Sequence, residues 1–433
     1  MSLHLPKTAH LTNFFHPSSG GISAFYRALL AHANRTGREM RLIVPGEQSG
    51  VECVGAFGKI YWVRAPQSPL IDSRYRILLP IGSSGREIRL ILGAEQPEIL
   101  EVSDKYTMPF VSGMLRKRLI PGVCRPTEIA TSHERLDDNI DVHFRAGALG
   151  KIIAGLYMRY IYFAQFDHHV ANSHYTAGEL EPASKGHTTR RGIWVCPMGV
   201  DTELFRPADR TGCPGTRLLY AGRLAREKNI ALLLEVLRAL PQEFSLDVIG
   251  DGPERESFSQ RAQVEFGDRV RMRGHIHDRT AYAGLLRAAD VFVHPNPREP
   301  FGIGPLEAMA CGIPVVLPNA GGVLAYASDQ SAWLCAPTAD AFAAAIRSAL
   351  ACRQERDNKC REGRAVAERH DWLIVSKRYF DLIDTLYLDG FAGVVTRPLG
   401  AAVDAWARAR RSIRVPVPRR AGFSAATPPS AAR

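Results

Sequence analysis

Residues 290–316 read DVFVHPNPREPFGIGPLEAMACGIPVV, and the residue types in that stretch constrain the chain more than any other feature. Asp290 to His294 is a short apolar run suited to a buried strand, and Pro295, Pro297 and Pro300 forbid a helix directly after it, so a loop must follow. Phe301, Gly302, Ile303 and Gly304 lead to Pro305, whose fixed φ suits a first helical position. A helix is therefore expected from about Pro305 to Ala310, closed by Cys311 and Gly312. The loop then offers backbone N–H groups, backed by a helix N-terminus, at the carboxyl end of a parallel strand. That is where open α/β sheets bind ligands, and the chemistry offered is that of an anion site.

Two carboxylates flank this site. Glu299 is on the loop, and Glu307 is one turn into the helix with its side chain leaning back toward the N-terminus. A carboxylate accepts two hydrogen bonds from a vicinal diol, so paired acceptors beside a phosphate cradle fit a ribose or sugar joined to a diphosphate. The plainer alternative is one solvated loop glutamate and one glutamate favouring the helix dipole.

Glu299 and Glu307, separated by the seven residues PFGIGPL, resemble the signature of the family 4 retaining glycosyltransferases, which adopt the GT-B fold. The resemblance implies that Glu299 contacts the transferred sugar, that Glu307 holds the ribose hydroxyls, and that the amides of Phe301, Gly302 and Ile303 meet the sugar and diphosphate.

At 433 residues the chain is too long for one ordinary core, and two domains are expected. No run approaches the roughly 18 apolar residues of a spanning helix. The start, MSLHLPKTAH, lacks a basic segment followed by an apolar core, so the cytoplasm is the expected location, with the inner face of the membrane as a further possibility. Eight scattered cysteines without a close Cys-x-x-Cys pair read as reduced thiols, not as metal or disulfide sites. The formal charge is +11. Residues 397–433 hold eight arginines against Asp404 alone, a net +7, which leaves +4 for the rest. So mild a charge argues against a nucleic-acid-binding body. The tail itself, Arg-, Ala- and Pro-rich beyond Gly390, has the composition of a disordered segment; its 406–414 piece could touch anionic lipid or stay solvated.

From the N-terminus, residues 9–15 suit a first strand, and Gly20 and Gly21 follow at the turn into a helix. Glycines there either let backbone approach a phosphate or acceptor or make a simple turn, and the resemblance implies a Gly-Gly facing the cleft. Strands over 41–44, 60–63, 98–102 and 128–131 alternate with helices over 86–92 and around 114–120, which implies a parallel sheet. His133 lies just past a strand end; it is either a packing residue or, by the resemblance, a group near the outer hydroxyl of the transferred sugar. Residues 139–166 form a long apolar helix in which Arg145, Lys151 and Arg159 share about a third of the circumference. It reads as a core helix with one solvated face, the alternative being a face resting on an anionic membrane; the cluster Arg116, Lys117 and Arg118 makes the same suggestion. His169–Asn172 and Ile193–Cys196 are further strands, with Ser173 opening a helix between them, and 209–216 reads as a linker.

The second half opens with a strand over 217–220, a turn at Gly222 and a helix from Asn229. Arg223 and Lys228 lie on the loop between, where two cations can neutralise a diphosphate leaving group, and the resemblance gives them that role. Strands over 245–249 and 269–273 end at Gly250 and at Gly274, His275 and Ile276, where the resemblance places the nucleobase. Ala320, Gly321 and Gly322 are expected to form another loop facing the cleft, although LAYASD after them lacks the Pro-Glu often seen in the family. Helices over 338–350, 355–369 and 370–388 complete the pattern.

The expected organisation is a two-domain α/β GT-B enzyme: residues 1–205 an acceptor-binding Rossmann-like domain, 206–370 a nucleotide-sugar-binding one, 371–390 a helix crossing back onto the first, and 391–433 a basic tail. The expected reaction moves a hexose from GDP-mannose or a UDP-hexose, with retention, to a glycan or glycolipid hydroxyl. The nucleotide sugar is a co-substrate; no cofactor, metal or nucleic acid is implied, and the oligomeric state is left open. The alternatives are a GT-B sugar-nucleotide epimerase or hydrolase acting without an acceptor, against which the Glu299 to Glu307 spacing speaks, and a dinucleotide-dependent oxidoreductase, which would need a Gly-x-Gly-x-x-Gly turn that neither half offers.

Overall fold

The computed structural model describes residues 4–16, 20–68, 76–138, 147–186, 192–208 and 216–391. Among them are two sheets. The first contains β1 (Thr8–Leu11), β2 (Met40–Gly46), β3 (Gly50–Val54), β4 (Gly58–Arg64), β5 (Ile99–Val102), β6 (Thr127–Ser132), β7 (His168–Ala171) and β8 (Ile193–Val195), in the order β3-β4-β2-β1-β5-β6-β7-β8. The second contains β9 (Arg217–Ala221), β10 (Ser245–Ile249), β11 (Val270–Gly274), β12 (Val291–Val293), β13 (Val315–Pro318) and β14 (Trp333–Cys335), in the order β11-β10-β9-β12-β13-β14. Every pairing is parallel except the β3–β4 hairpin. Helices connect the strands and cover both faces, which is why the central strands read as short apolar runs and not as alternating patterns. This is the GT-B fold, and both sheets lie within one compact unit that extends through Tyr387.

In the second sheet the chain leaves β9 toward β10 and β11 and then returns to place β12 on the other side of β9. That reversal opens a crevice at the carboxyl ends of β9 and β12. The loop after β9 carries Gly222, Arg223 and Lys228, and the loop after β12 carries Glu299, so topology brings together residues more than 70 positions apart in sequence.

The last helix, Trp372–Phe391, lies on the first half. Val375, Tyr379, Ile383 and Leu386 are buried at helical spacing. Tyr379 packs edge-on against Phe25 with centroids 5.3 Å apart, and His32 stacks on Phe380 at 5.4 Å. Arg38 lies over the Phe380 ring and donates to Asp384 at 2.5 Å. At the helix start, the backbone of Val200 bonds to His370 and that of Trp372 to Val200, at 2.9 and 3.0 Å.

Several expected boundaries move for identifiable reasons. The strand placed at 9–15 ends at Leu11, because the Thr12 hydroxyl accepts from Phe14 N–H in a local turn. The edge strand β3 was not expected; its residues are largely exposed and carry no apolar alternation. The helix placed around 114–120 is Pro109–Arg116 and stops there: Arg118, with φ +56°, stands where a helix usually ends in glycine, and Arg118 and Leu119 donate back to Leu115 and Met114. The long helix of 139–166 is observed as Gly147–Tyr157 followed by a π turn at Met158–Tyr162 and a 3₁₀ turn at Phe163–Gln165, residues 139–146 lying outside the described residues. The linker residues 209–215 and the tail beyond Phe391 also lie outside them.

Truncating Tyr379 to Ala removes a fully buried ring from the contact between the last helix and the first sheet. It is expected to destabilise the protein by about 3–5 kcal/mol, whereas Leu373→Ala, on the exposed side of the same helix, is expected to cost within about 0.5 kcal/mol. Urea unfolding of the two variants checks this, and equal losses would refute the assigned packing.

Candidate active site

A cleft of about 710 Å³ is lined by residues from both halves. From the second half its wall begins at Gly222, where the chain turns off β9. A Cβ there would stand 2.7 Å from the Tyr220 hydroxyl, and one at Gly250, with φ +140°, would stand 1.9 Å from the Gly222 carbonyl oxygen. Only glycine lets these two strand ends close on each other. Gly250 N–H in turn donates to the Gly274 carbonyl at 2.8 Å.

The centre of this wall is Glu299. Its carboxylate is buried and takes both oxygens' bonds from Lys228 Nζ at 2.9 and 2.8 Å, with Asn296 Nδ2 donating to Oε2 at 3.0 Å and His294 Nε2 at 3.2 Å from the same oxygen. Burial pushes its pKa up, but the Lys228 charge and the His294 contact outweigh burial and hold the carboxyl well below the usual range. Asn229, at φ +54°, ends the short turn that carries Lys228, and its side chain donates to Pro295 O at 3.1 Å. The helix expected from Asn229 accordingly begins two residues later, as Ala231–Arg238.

The motif helix spans Ile303–Ala310, so Pro305 is its third residue and not its first; the missing N–H costs nothing there, since the first turn has no intrahelical acceptors to offer. Gly302 precedes it at φ +86°, and its carbonyl accepts from the Tyr326 hydroxyl at 2.6 Å. Glu307 is buried; it accepts from Arg279 at 2.6 Å and from the Tyr282 hydroxyl at 3.0 Å, and burial raises its pKa despite both partners. The two carboxylates of the motif are thus shifted in opposite directions.

Of the residues singled out in sequence, Gly20, Gly21, His133, Gly222, Arg223, Lys228, Gly250, His275, Ile276, Glu299, Phe301, Gly302, Ile303 and Glu307 all line the cleft. Gly274 does not; at φ +68° it shapes the turn that presents His275 and Ile276. Phe301 reaches the cleft through its backbone, because its ring is buried against Tyr326 at 5.0 Å. The loop Ala320 to Gly322, expected to face the cleft, lies behind the motif loop instead. Gly322 N–H donates to Glu299 O at 2.6 Å, and a Cβ at Gly322 would stand 1.8 Å from Pro300 O. Its glycines support Glu299 from the rear.

The first half supplies the opposite wall. Gly20 opens onto space, and a Cβ on Gly21 would stand 3.2 Å from the Ile303 side chain, so glycine sets how closely the halves approach. His133 packs edge-on against Phe25 at 5.0 Å; among the described residues neither ring nitrogen has a hydrogen-bond partner, and burial lowers its pKa to about 4. Asp104 Oδ1 likewise has no partner among the described residues, while Oδ2 accepts from the backbone of Thr107 and Met108 at 2.7 Å. Among the described residues, Ser173 Oγ of the first half donates to Pro300 O on the motif loop at 2.5 Å.

Sequence reasoning missed Arg279, Tyr282, Asn296, Asp104 and the Ser173 link. Arg279 and Tyr282 stand three apart on the helix Arg279–Ala288, and that spacing alone could have flagged a shared partner. Asn296 lies within the motif but among prolines that draw attention first. Among the described residues no group of His, Cys, Asp or Glu has the arrangement of a metal site.

Two family models match the chain in succession, the one described as Glycosyltransferase Family 4 over residues 19–204 and the one described as Glycosyl transferases group 1 over residues 213–365. A GDP-mannose-dependent alpha-(1-6)-phosphatidylinositol dimannoside mannosyltransferase of Mycobacterium tuberculosis is 28% identical over 375 residues, covering 83% of this chain and 91% of that protein. A D-inositol 3-phosphate glycosyltransferase of Geodermatophilus obscurus is 34% identical over 214 residues, 44% of this chain and 47% of that one. Among solved structures, the sucrose-phosphate synthase of Thermosynechococcus elongatus superposes with a TM-score of 0.73 at 20% identity, covering 88% of this chain and all of that one. HepE of Anabaena, in complex with UDP and glucose, superposes with a TM-score of 0.65 at 16% identity, covering 88% of this chain and 99% of that one; at such identities the likeness is one of fold. With both halves matched in order, the two motif glutamates converging on one cleft and the GT-B fold around them, the chain belongs to the family 4 glycosyltransferases and is a nucleotide-sugar glycosyltransferase.

Proposed function

We propose that the chain transfers a hexose from GDP-mannose or a UDP-hexose, with retention of anomeric configuration, to a hydroxyl of a glycan or glycolipid acceptor in cell-envelope or polysaccharide assembly at the cytoplasmic side. The observation that carries this reading is the Lys228–Glu299 pair, a cation and a carboxylate held at the switch-point crevice, in a cleft that Glu307 also lines. The similarity to a GDP-mannose-dependent enzyme acting on a phosphatidylinositol mannoside, over 83% of the chain, favours GDP-mannose and a lipid-linked acceptor.

In this mechanism the second half binds the donor. Glu307 receives the ribose hydroxyls, displacing Arg279 from one oxygen, and the amides of the Gly302 turn meet the sugar and diphosphate. As the glycosidic bond to the diphosphate breaks, negative charge grows on the leaving oxygen. Lys228 and Arg223 stabilise it, assisted by the positive end of the motif helix, which is the role a divalent ion plays elsewhere. The acceptor hydroxyl attacks from the same face and gives its proton to the departing phosphate oxygen. Glu299, ionised and paired with Lys228, keeps room on Oε1 to accept from sugar hydroxyls and is not a nucleophile. His133 is neutral and neither ring nitrogen has a partner among the described residues, so it hydrogen-bonds a hydroxyl at the outer end of the sugar.

Release of nucleoside diphosphate from a panel of GDP- and UDP-sugars tests the reading. One donor is expected to be turned over slowly without acceptor, with activity surviving EDTA, and Glu307→Ala is expected to lower kcat/KM for it by about 10- to 100-fold. A wild-type protein that cleaves none of the panel would remove the basis of the proposal. Lys228→Met is expected to reduce kcat about 10²- to 10³-fold with a smaller change in donor affinity measured by calorimetry; a pure affinity loss would place Lys228 outside the transition state. His133 adds an acid sensitivity of known sign. Its pKa is about 4 in the fold against an ordinary 6.5, so the unfolded chain binds the extra proton between those values. The stability it contributes is complete above pH 6.5 and is lost as pH falls toward 4. His133→Asn should flatten the fall in urea midpoint across that window, and an unchanged fall would show that the histidine is not buried neutral.

A further inference from the structure

Both side chains that bond the Glu307 carboxylate come from one helix, Arg279–Ala288, and they differ in what they have left to give. Tyr282 donates its single hydroxyl proton to Oε2 at 3.0 Å. Arg279 donates to Oε1 at 2.6 Å through Nη2, its one hydrogen bond among the described residues, so most of the N–H donors of its fork remain. The side chain is 44% exposed and lines the cleft. Its guanidinium lies 4.9 Å from the Phe205 ring and 5.6 Å from the Tyr282 ring, so aromatic faces hold the fork as well as the carboxylate does. The helix itself does not ask for a cation here. Arg279 is its first residue, where the macrodipole favours an anion, and the first turn holds no acidic residue. Asp278, just before it, accepts from Thr280 and Ala281 N–H at 2.8 and 3.3 Å and caps the helix. Partnering Glu307 accounts for one donor of the fork and leaves the others.

The place of that helix in the fold says what those donors face. It follows β11, two strands from β9 in the sheet, whereas Lys228 lies on the loop after β9. In the donor complex proposed above the diphosphate is at Lys228 and the ribose at Glu307. The base is attached to the ribose carbon next to the one bearing the 2′-hydroxyl, so it lies beside Glu307 on the side away from the diphosphate. The cleft continues that way, lined by Gly250, His275 and Ile276 at the carboxyl ends of β10 and β11. A guanidinium offers donors only. Guanine meets it with two adjacent acceptors, N7 and O6, while adenine sets an amino donor beside N7 and uracil has a single O4 flanked by a ring N–H and a C–H.

We propose that Arg279 selects the nucleobase of the donor, presenting its fork to N7 and O6 of guanine, so that the site takes a guanosine diphosphate sugar in preference to a uridine or adenosine one. The inference rests on the reading of Glu307 as the ribose acceptor and goes beyond it by naming the base and the side chain that reads it. Phe205 gives the contact its rigidity: the ring is fully buried, and a guanidinium seated on it is ordered before the base arrives.

The test is calorimetric titration of the full chain with GDP, UDP, ADP and 7-deaza-GDP, in which a C–H replaces N7. Wild-type protein is expected to bind GDP roughly 10- to 100-fold more tightly than UDP or ADP, and 7-deaza-GDP about 10-fold more weakly than GDP. Arg279→Met should remove the 7-deaza penalty and most of the preference for GDP. Because affinity ratios are compared, a general loss from leaving Glu307 without its cation cancels. Arg279→Gln, which sets one donor beside one acceptor, should move the preference from GDP toward ADP, a change that a residue serving only to neutralise Glu307 would not produce. Equal wild-type affinity for GDP and 7-deaza-GDP overturns the proposal, as does tighter binding of UDP or a variant that keeps the wild-type ratios. The wild-type comparison needs no substitution, so a variant that failed to fold would not leave the question open. If no nucleoside diphosphate binds, the proposed function falls together with this inference; if a GDP-sugar is cleaved while the ratios ignore Arg279, this inference alone falls.

Discussion

A carboxylate taken out of water is tolerated only when charge and hydrogen bonds replace what water gave it, and the site around Glu299 is organised by that requirement. Lys228 comes from the loop after β9, His294 and Asn296 from the loop after β12, so satisfying one buried charge ties together the two loops that border the switch-point crevice. The remaining constraints are backbone ones. Gly302 in the left-handed region, Tyr326 on its carbonyl and Gly322 behind Glu299 leave the motif loop little freedom.

Glu307 is buried as deeply but is treated differently. Its two partners are Arg279 and a tyrosine hydroxyl, and burial prevails over both, so its proton affinity rises where that of Glu299 falls. Two glutamates of one motif thus become one group held charged and one whose proton is held more tightly. The half-exposed guanidinium of Arg279 keeps Glu307 partnered.

Among the described residues, the two halves meet near the cleft at Gly21 against Ile303 and Ser173 on Pro300, and more broadly where the last helix lays Tyr379, Phe380 and Asp384 on residues of the first half.

The fold class, most of the strands and helices and many of the residues that line the cleft were legible in the chain and its resemblance to a family. Proline and glycine positions around the motif, the strand-end glycines and the Glu299 to Glu307 spacing are local signals, and local signals survive without coordinates. Element ends were less legible where side chains substitute for the usual punctuation, as with Thr12 ending β1 and Arg118 standing in a glycine position. What only tertiary structure decided were directions and pairings. Sequence could not show that Ala320 to Gly322 supports Glu299 from behind, that Arg279 and Tyr282 share Glu307, or that the apolar stripe from Leu149 to Tyr160 faces outward. Helical periodicity states that residues share a face; which way that face turns depends on what the rest of the chain leaves for it to cover.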